Sequence, residues 1–114
     1  MNYMSQTQLI SVAIAIIYQD GKYLMQLRDD IPTIAYPGVW GFFGGHIEPG
    51  EEPAIALKRE LREEINYLAP VLTKFCSNQI GNYVRHIFSC PLTKRMGYKP
   101  RSSRTAFLEL ECIF

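Results

Sequence analysis

The chain has 114 residues, 47% hydrophobic and 20% charged, with a formal net charge of +1. That length suits one domain with a modest core, here taken as residues 1–114. The near-zero charge gives no field for nucleic acid or a membrane surface, so no nucleic acid polymer is expected as a partner. The longest apolar run, near "LISVAIAIIY" (9–18), is too short to cross a bilayer and is interrupted by Ser11. No basic leader with a small-residue cleavage site precedes it. Cys76, Cys90 and Cys112 are odd in number and widely spaced, which fits reduced thiols in a cytoplasm rather than a disulfide framework or a zinc site.

In chain order, "QLISVAIAIIYQ" is β-branched and apolar and reads as a buried strand. "DG" at 20–21 is a turn signal and "KYLMQLR" alternates behind it, so 8–28 is expected to be a hairpin. "DDIPTIAYPG", with its prolines and glycine, reads as a loop, and "VWGFFGG" as a short strand whose glycines admit close backbone approach. From Pro53 the period becomes helical: Ala54, Leu57, Leu61 and Ile65 form one stripe. Pro53 suits a first helical turn, Glu51 and Glu52 precede it, and Asn66 can end the helix in a left-handed conformation. "VLTKFCSNQI" and "NYVRHIFSCPL" read as two more strands joined at Gly81-Asn82. The tail, 93–114, is atypical: a basic stretch with Lys94, Arg95, Lys99, Arg101 and Arg104, then the apolar, strand-like "TAFLELECIF". Strands on both sides of one central helix suggest a mixed α/β or α+β sandwich.

The helix carries Glu60, Glu63 and Glu64 within one turn, flanking the apolar stripe. Like charges at these spacings repel by a few tenths of a kcal/mol per pair, about 0.2–0.5 in isolated helices. Crowded oxygen donors suit a hard divalent cation, Mg²⁺ or Mn²⁺. The bland alternative is a solvated acidic face. Spacing separates the two. Gly45, five residues, Glu51, seven residues, Arg59-Glu60-Leu61, one residue, Glu63-Glu64 is a pattern that chance produces at about 10⁻⁷ per window of ordinary composition.

This segment, 44–67, resembles the signature of the Nudix (MutT-like) hydrolases, departing from it at Asn66, where the family has glycine, and at Tyr67, where it has an aliphatic residue. The hairpin and "WGFFGG" before it are also similar to the family. The resemblance implies an α/β/α sandwich with the signature loop-helix, and a Mg²⁺-dependent hydrolase of a pyrophosphate bond in a small nucleotide derivative: a nucleoside triphosphate, an oxidised nucleotide, a nucleotide sugar or ADP-ribose. It implies Glu63 and Glu64 as principal metal ligands and Glu60 as ligand or base. A carbonyl of Gly44 or Gly45 completes the sphere, and Glu51 and Arg59 form the bracing pair. The water that attacks phosphorus would be activated by the metal. Candidate substrate contacts are Tyr36, Trp40, Phe42 and Phe43 by stacking, Arg28 to phosphate, and His46 beside the double glycine. An alternative reading is a Nudix-fold module that binds a nucleotide but turns it over poorly, because the tail is short and offers only Glu109 and Glu111 as further acids. An altered tail would also expose an apolar face and favour a homodimer.

Overall fold

A computed structural model describes residues 8–27, 38–93 and 105–108, of which the last group contributes only the Phe107 side chain. Its elements in chain order are β1 (Ile10–Gln19), β2 (Lys22–Leu27), β3 (Trp40–Gly41), β4 (Phe43–His46), α1 (Pro53–Ile65), β5 (Thr73–Ile80), β6 (Tyr83–Pro91) and β7 (Thr105–Leu108). The strands form one mixed, seven-stranded sheet, and α1 is the one helix among the described residues. The expected α/β fold with a mixed sheet and signature loop-helix is present, with one helical layer seen within those bounds.

Two turns follow from their residues. Asp20 and Gly21 both have positive φ (52° and 75°), the mirror-image geometry that matches the twist of a two-residue hairpin. They close β1 on β2 in the register Gln19↔Lys22. At the second hairpin, Gly81 (φ 61°) takes the first turn position and sets Ile80 opposite Tyr83. The expected strand at "VWGFFGG" is two short strands broken at Phe42. β3 pairs with β2 (Leu27↔Trp40), and β4 pairs with β1 (Ala15↔Phe43 to Val12↔His46). The segment thus wedges between two strands that are neighbours only near their hairpin. On its other edge β1 runs parallel to β6 from Ile10↔Tyr83 to Tyr18↔Pro91. A parallel pair needs a crossover, and α1 lies in that crossover.

β1 alternates. Ala13, Ala15 and Ile17 are buried, whereas Val12, Ile14 and Ile16 on the other face are half-buried. Alanines where the helix crosses let α1 lie close to the sheet. Leu57, Leu61 and Ile65 fill that contact with Phe43, Phe88 and Cys90. Each such aliphatic side chain contributes about 1.5–3 kcal/mol by burial. The helix starts at Pro53, where a missing N–H costs nothing, and stops at Asn66 in a left-handed conformation (φ 53°, ψ 37°). The Asn66 N–H donates to the Arg62 carbonyl at 3.0 Å, and the Tyr67 N–H to Leu61 at 3.2 Å. Tyr67 is fully buried. Its hydroxyl donates to the Pro91 carbonyl (3.0 Å) and accepts the Thr93 N–H (3.2 Å), tying the helix exit to the end of β6.

Among the described residues, no helix is long and apolar enough to cross a membrane. Cys76 and Cys90 are free thiols; burial pushes the Cys90 pKa up to about 11, which leaves it unreactive. Cys112 lies outside the described residues.

Candidate active site

The site is built on the loop between β4 and α1. Glu48-Pro49-Gly50-Glu51 is a tight turn: proline presets its first central position, and Gly50 supplies φ 81° at the second. The Glu51 N–H closes it on the Glu48 carbonyl at 2.9 Å. The Glu51 carboxylate then accepts the Glu48 N–H at 3.0 Å. From the helix, Arg59 meets the same carboxylate with a two-pronged fork, Nε to Oε2 and Nη2 to Oε1, both 3.0 Å. Arg59 Nη2 also donates to the His46 carbonyl at 3.3 Å. Loop, strand end and helix are therefore pinned through one guanidinium. The pairing holds the Glu51 carboxyl below its usual range, chiefly through the Arg59 hydrogen bonds, and raises Arg59 through Glu51.

Two glycines set how closely the helix carboxylates approach the strand. Gly44 has φ 155°, and a Cβ there would overlap the Ala13 carbonyl oxygen. A Cβ on Gly45 would lie 2.6 Å from both carboxylate oxygens of Glu60, so the missing side chain is the space that carboxylate occupies. Glu60 is mostly buried and accepts from Arg59 Nη1 at 3.0 Å. Glu63 is exposed, with Oε1 3.7 Å from the same nitrogen.

Glu64 is different. It lies largely buried, and its Oε1 has no hydrogen-bond partner among the described residues. Burial raises its pKa to about 8, helped by the charge of Glu60, a shared hydrogen bond with it and the charge of Glu63; the Gly44 N–H opposes the rise. A carboxyl desolvated beside two others favours its protonated form. Among the described residues no three acidic, histidine or cysteine side chains stand gathered around a point ready for an ion. Glu60 and Glu63 turn toward Arg59 instead. The donor set still fits a hard divalent cation: a buried carboxylate oxygen is orphaned, a second carboxylate packs on bare backbone, and a third is free to swing in.

The remaining candidates separate by position. Trp40, on β3, is 39% exposed and available to a ligand. Phe42 is half-buried and packs edge-on against Tyr23, centroids 6.3 Å apart. Phe43 does not fit the expectation of a substrate contact: its side chain points to α1 and is 2% exposed, because strand alternation assigns it to the core. His46 is exposed at the end of β4, on the face away from α1. Arg28 and Tyr36 lie outside the described residues, as do Glu109 and Glu111. The sequence reading missed the Glu48–Glu51 turn, although proline followed by glycine signals it.

An acidic helix braced by an arginine-held turn on a mixed sheet defines the class of domain. The NUDIX domain family matches residues 7–104, and the chain belongs to that family. It is 43% identical over 72 residues to a CTP pyrophosphohydrolase of Escherichia coli, a match covering 63% of this chain and 52% of that protein. A nucleoside triphosphatase, NudI, of Escherichia coli is 41% identical over 56 residues, covering 48% and 38%. The matched segments thus span about half or less of these relatives. Among solved structures, the MutT NUDIX hydrolase of Burkholderia pseudomallei superposes with a TM-score of 0.78 at 22% identity, covering 91% of this chain and 85% of that one. The Escherichia coli ORF135 protein gives 0.67 at 25% identity, covering 96% and 80%.

Proposed function

We propose that the protein is a divalent-metal-dependent hydrolase that cleaves a pyrophosphate bond of nucleoside triphosphates. The observation that carries this reading is Glu64: a largely buried carboxylate beside Glu60, one of whose oxygens has no hydrogen-bond partner among the described residues, on the helix the family signature occupies. Glu60, Glu63 and Glu64 would hold the cation, Mg²⁺ or Mn²⁺, with a carbonyl of Gly44 or Gly45. Bound there, the cation neutralises phosphate oxygens and acidifies water. Glu64, held protonated near neutral pH by burial beside Glu60, would release that proton on holding the cation. Arg59 keeps the Glu60 carboxylate on Gly45 and holds the loop in register. The names of the relatives favour nucleoside triphosphates over nucleotide sugars and ADP-ribose. Two free cysteines agree with a reducing cytoplasm. The homodimer expected from the tail depends on residues outside those described.

Mn²⁺ titration of the protein tests the site without turnover. Wild type should bind in the micromolar-to-millimolar range of carboxylate sites, and Glu64→Gln should lose most of that affinity. Equal binding by both would remove the carrying observation.

A further inference from the structure

The sheet face away from α1 carries a row that the metal site does not use. Pairing registers place His46 of β4, Val12 of β1, Arg85 of β6 and Asn78 of β5 side by side across four strands. Alternation turns all four to the face opposite Ala13 and Gly45, which look toward α1. The rows on either side are apolar: Ile14 with Ile87, and Ile10 with Tyr83. Arg85 is half-buried in this setting. Its Nε donates to Asn78 Oδ1 at 2.8 Å, and among the described residues Nη1 and Nη2 have no further partner. A guanidinium fixed by one nitrogen, on an apolar floor, with two donor nitrogens left over, is equipped to read a planar ligand with paired acceptors.

β4 joins this row to the acidic cluster. Gly45 seats Glu60 on one face, and the next residue, His46, stands in the Arg85 row on the other. Two strand spacings separate His46 from Arg85, about 10 Å. A nucleotide whose phosphates lie at the signature loop can therefore reach Arg85 with its base.

We propose that Arg85, fixed by Asn78, is the base-specificity residue of this site; this rests on the nucleoside triphosphate reading above. Its two free nitrogens form a fork that matches bases with adjacent acceptors on one edge: guanine through O6 and N7, or cytosine through O2 and N3. Uracil and adenine offer alternating donors and acceptors, which leave one prong unpaired.

The test compares kcat and KM for CTP, GTP, UTP and ATP in wild type, Arg85→Met and Asn78→Ala, with circular dichroism to verify folding. Wild type should favour CTP or GTP, and the pair of arms decides which. Arg85→Met should lower kcat/KM for the favoured base about tenfold or more, mainly through KM, and change UTP and ATP by less than about threefold. Asn78→Ala, which keeps the guanidinium but frees it, should give an intermediate loss. An unchanged base preference in folded Arg85→Met overturns the assignment and leaves the hydrolase reading standing. If wild type hydrolyses none of the four, the hydrolase reading fails. Equilibrium binding of CMP, GMP, UMP and AMP then decides Arg85 by itself: a preference lost in Arg85→Met supports the assignment, and absent or unaltered preference overturns it.

Discussion

Removing the charge of Glu64 should make the metal-free protein more stable at alkaline pH, not less. The carboxyl is desolvated beside Glu60 and Glu63, and its pKa rises from 4.5 to about 8. The folded state therefore holds a proton that the unfolded chain has released. Stability from this group is complete below about pH 4.5 and is lost as pH climbs through 8. Every tenfold change in proton affinity between the folded and unfolded chain corresponds to about 1.4 kcal/mol. Because three carboxylates share the effect, the loss attributable to Glu64 is about 2–4 kcal/mol, a large part of a small domain's stability. Urea unfolding in EDTA at intervals from pH 5 to 9 measures it, and comparison with Glu64→Gln cancels the other titrating groups. Wild type should fall steadily relative to the variant and level off above pH 8. Mg²⁺ at pH 8 should restore wild type and do nothing for Glu64→Gln. Parallel pH profiles for the two proteins would refute the reasoning, since they would mean that Glu64 titrates as an ordinary solvated acid.

Gly45→Ala should fold but lose activity by tenfold or more, roughly the scale of a small misplacement at a reacting centre, because the new methyl meets the Glu60 carboxylate; kcat with Mg²⁺ reads this. Arg59→Lys replaces a two-pronged fork on Glu51 by a single contact, and should lower kcat while leaving far-ultraviolet dichroism unchanged. Tyr67→Phe strands the Pro91 carbonyl and the Thr93 N–H, and should cost about 1–3 kcal/mol in urea unfolding without altering the Mg²⁺ dependence of turnover.

What the sequence made legible was local chemistry. Asp20-Gly21 admits one hairpin geometry, Pro53 and Asn66 bracket the helix, and the carboxylate spacing sets Glu60, Glu63 and Glu64 on one helical turn. Asn66 keeps the helix stop that glycine makes elsewhere in the family, because asparagine also tolerates positive φ. Long-range pairing was not legible. Nothing local to "VWGFFGG" says that it breaks at Phe42 and changes partners from β2 to β1, and that change is what assigns Phe43 to the core. The parallel pairing of β1 with β6 depends on residues some 70 apart in the chain. Tyr67, a departure from the family pattern, became intelligible only once Pro91 and Thr93 stood beside it. The pairing of β7 with β2 (Leu24↔Phe107) likewise had no local signal beyond an apolar run. Arg85 was hidden for the same reason: in the chain it is one cation in a strand, and only the register sets it beside Asn78 and in one row with His46.

The central claim is that the acidic cluster on α1 serves metal-dependent cleavage of a nucleoside triphosphate. Product analysis with CTP, GTP, UTP and ATP, in Mg²⁺ and in EDTA, tests it most directly. The account predicts nucleoside monophosphate and pyrophosphate in Mg²⁺, nothing in EDTA, and loss of the reaction in Glu64→Gln. Turnover that survives both EDTA and Glu64→Gln, or no turnover of any triphosphate by wild type in Mg²⁺, would contradict it.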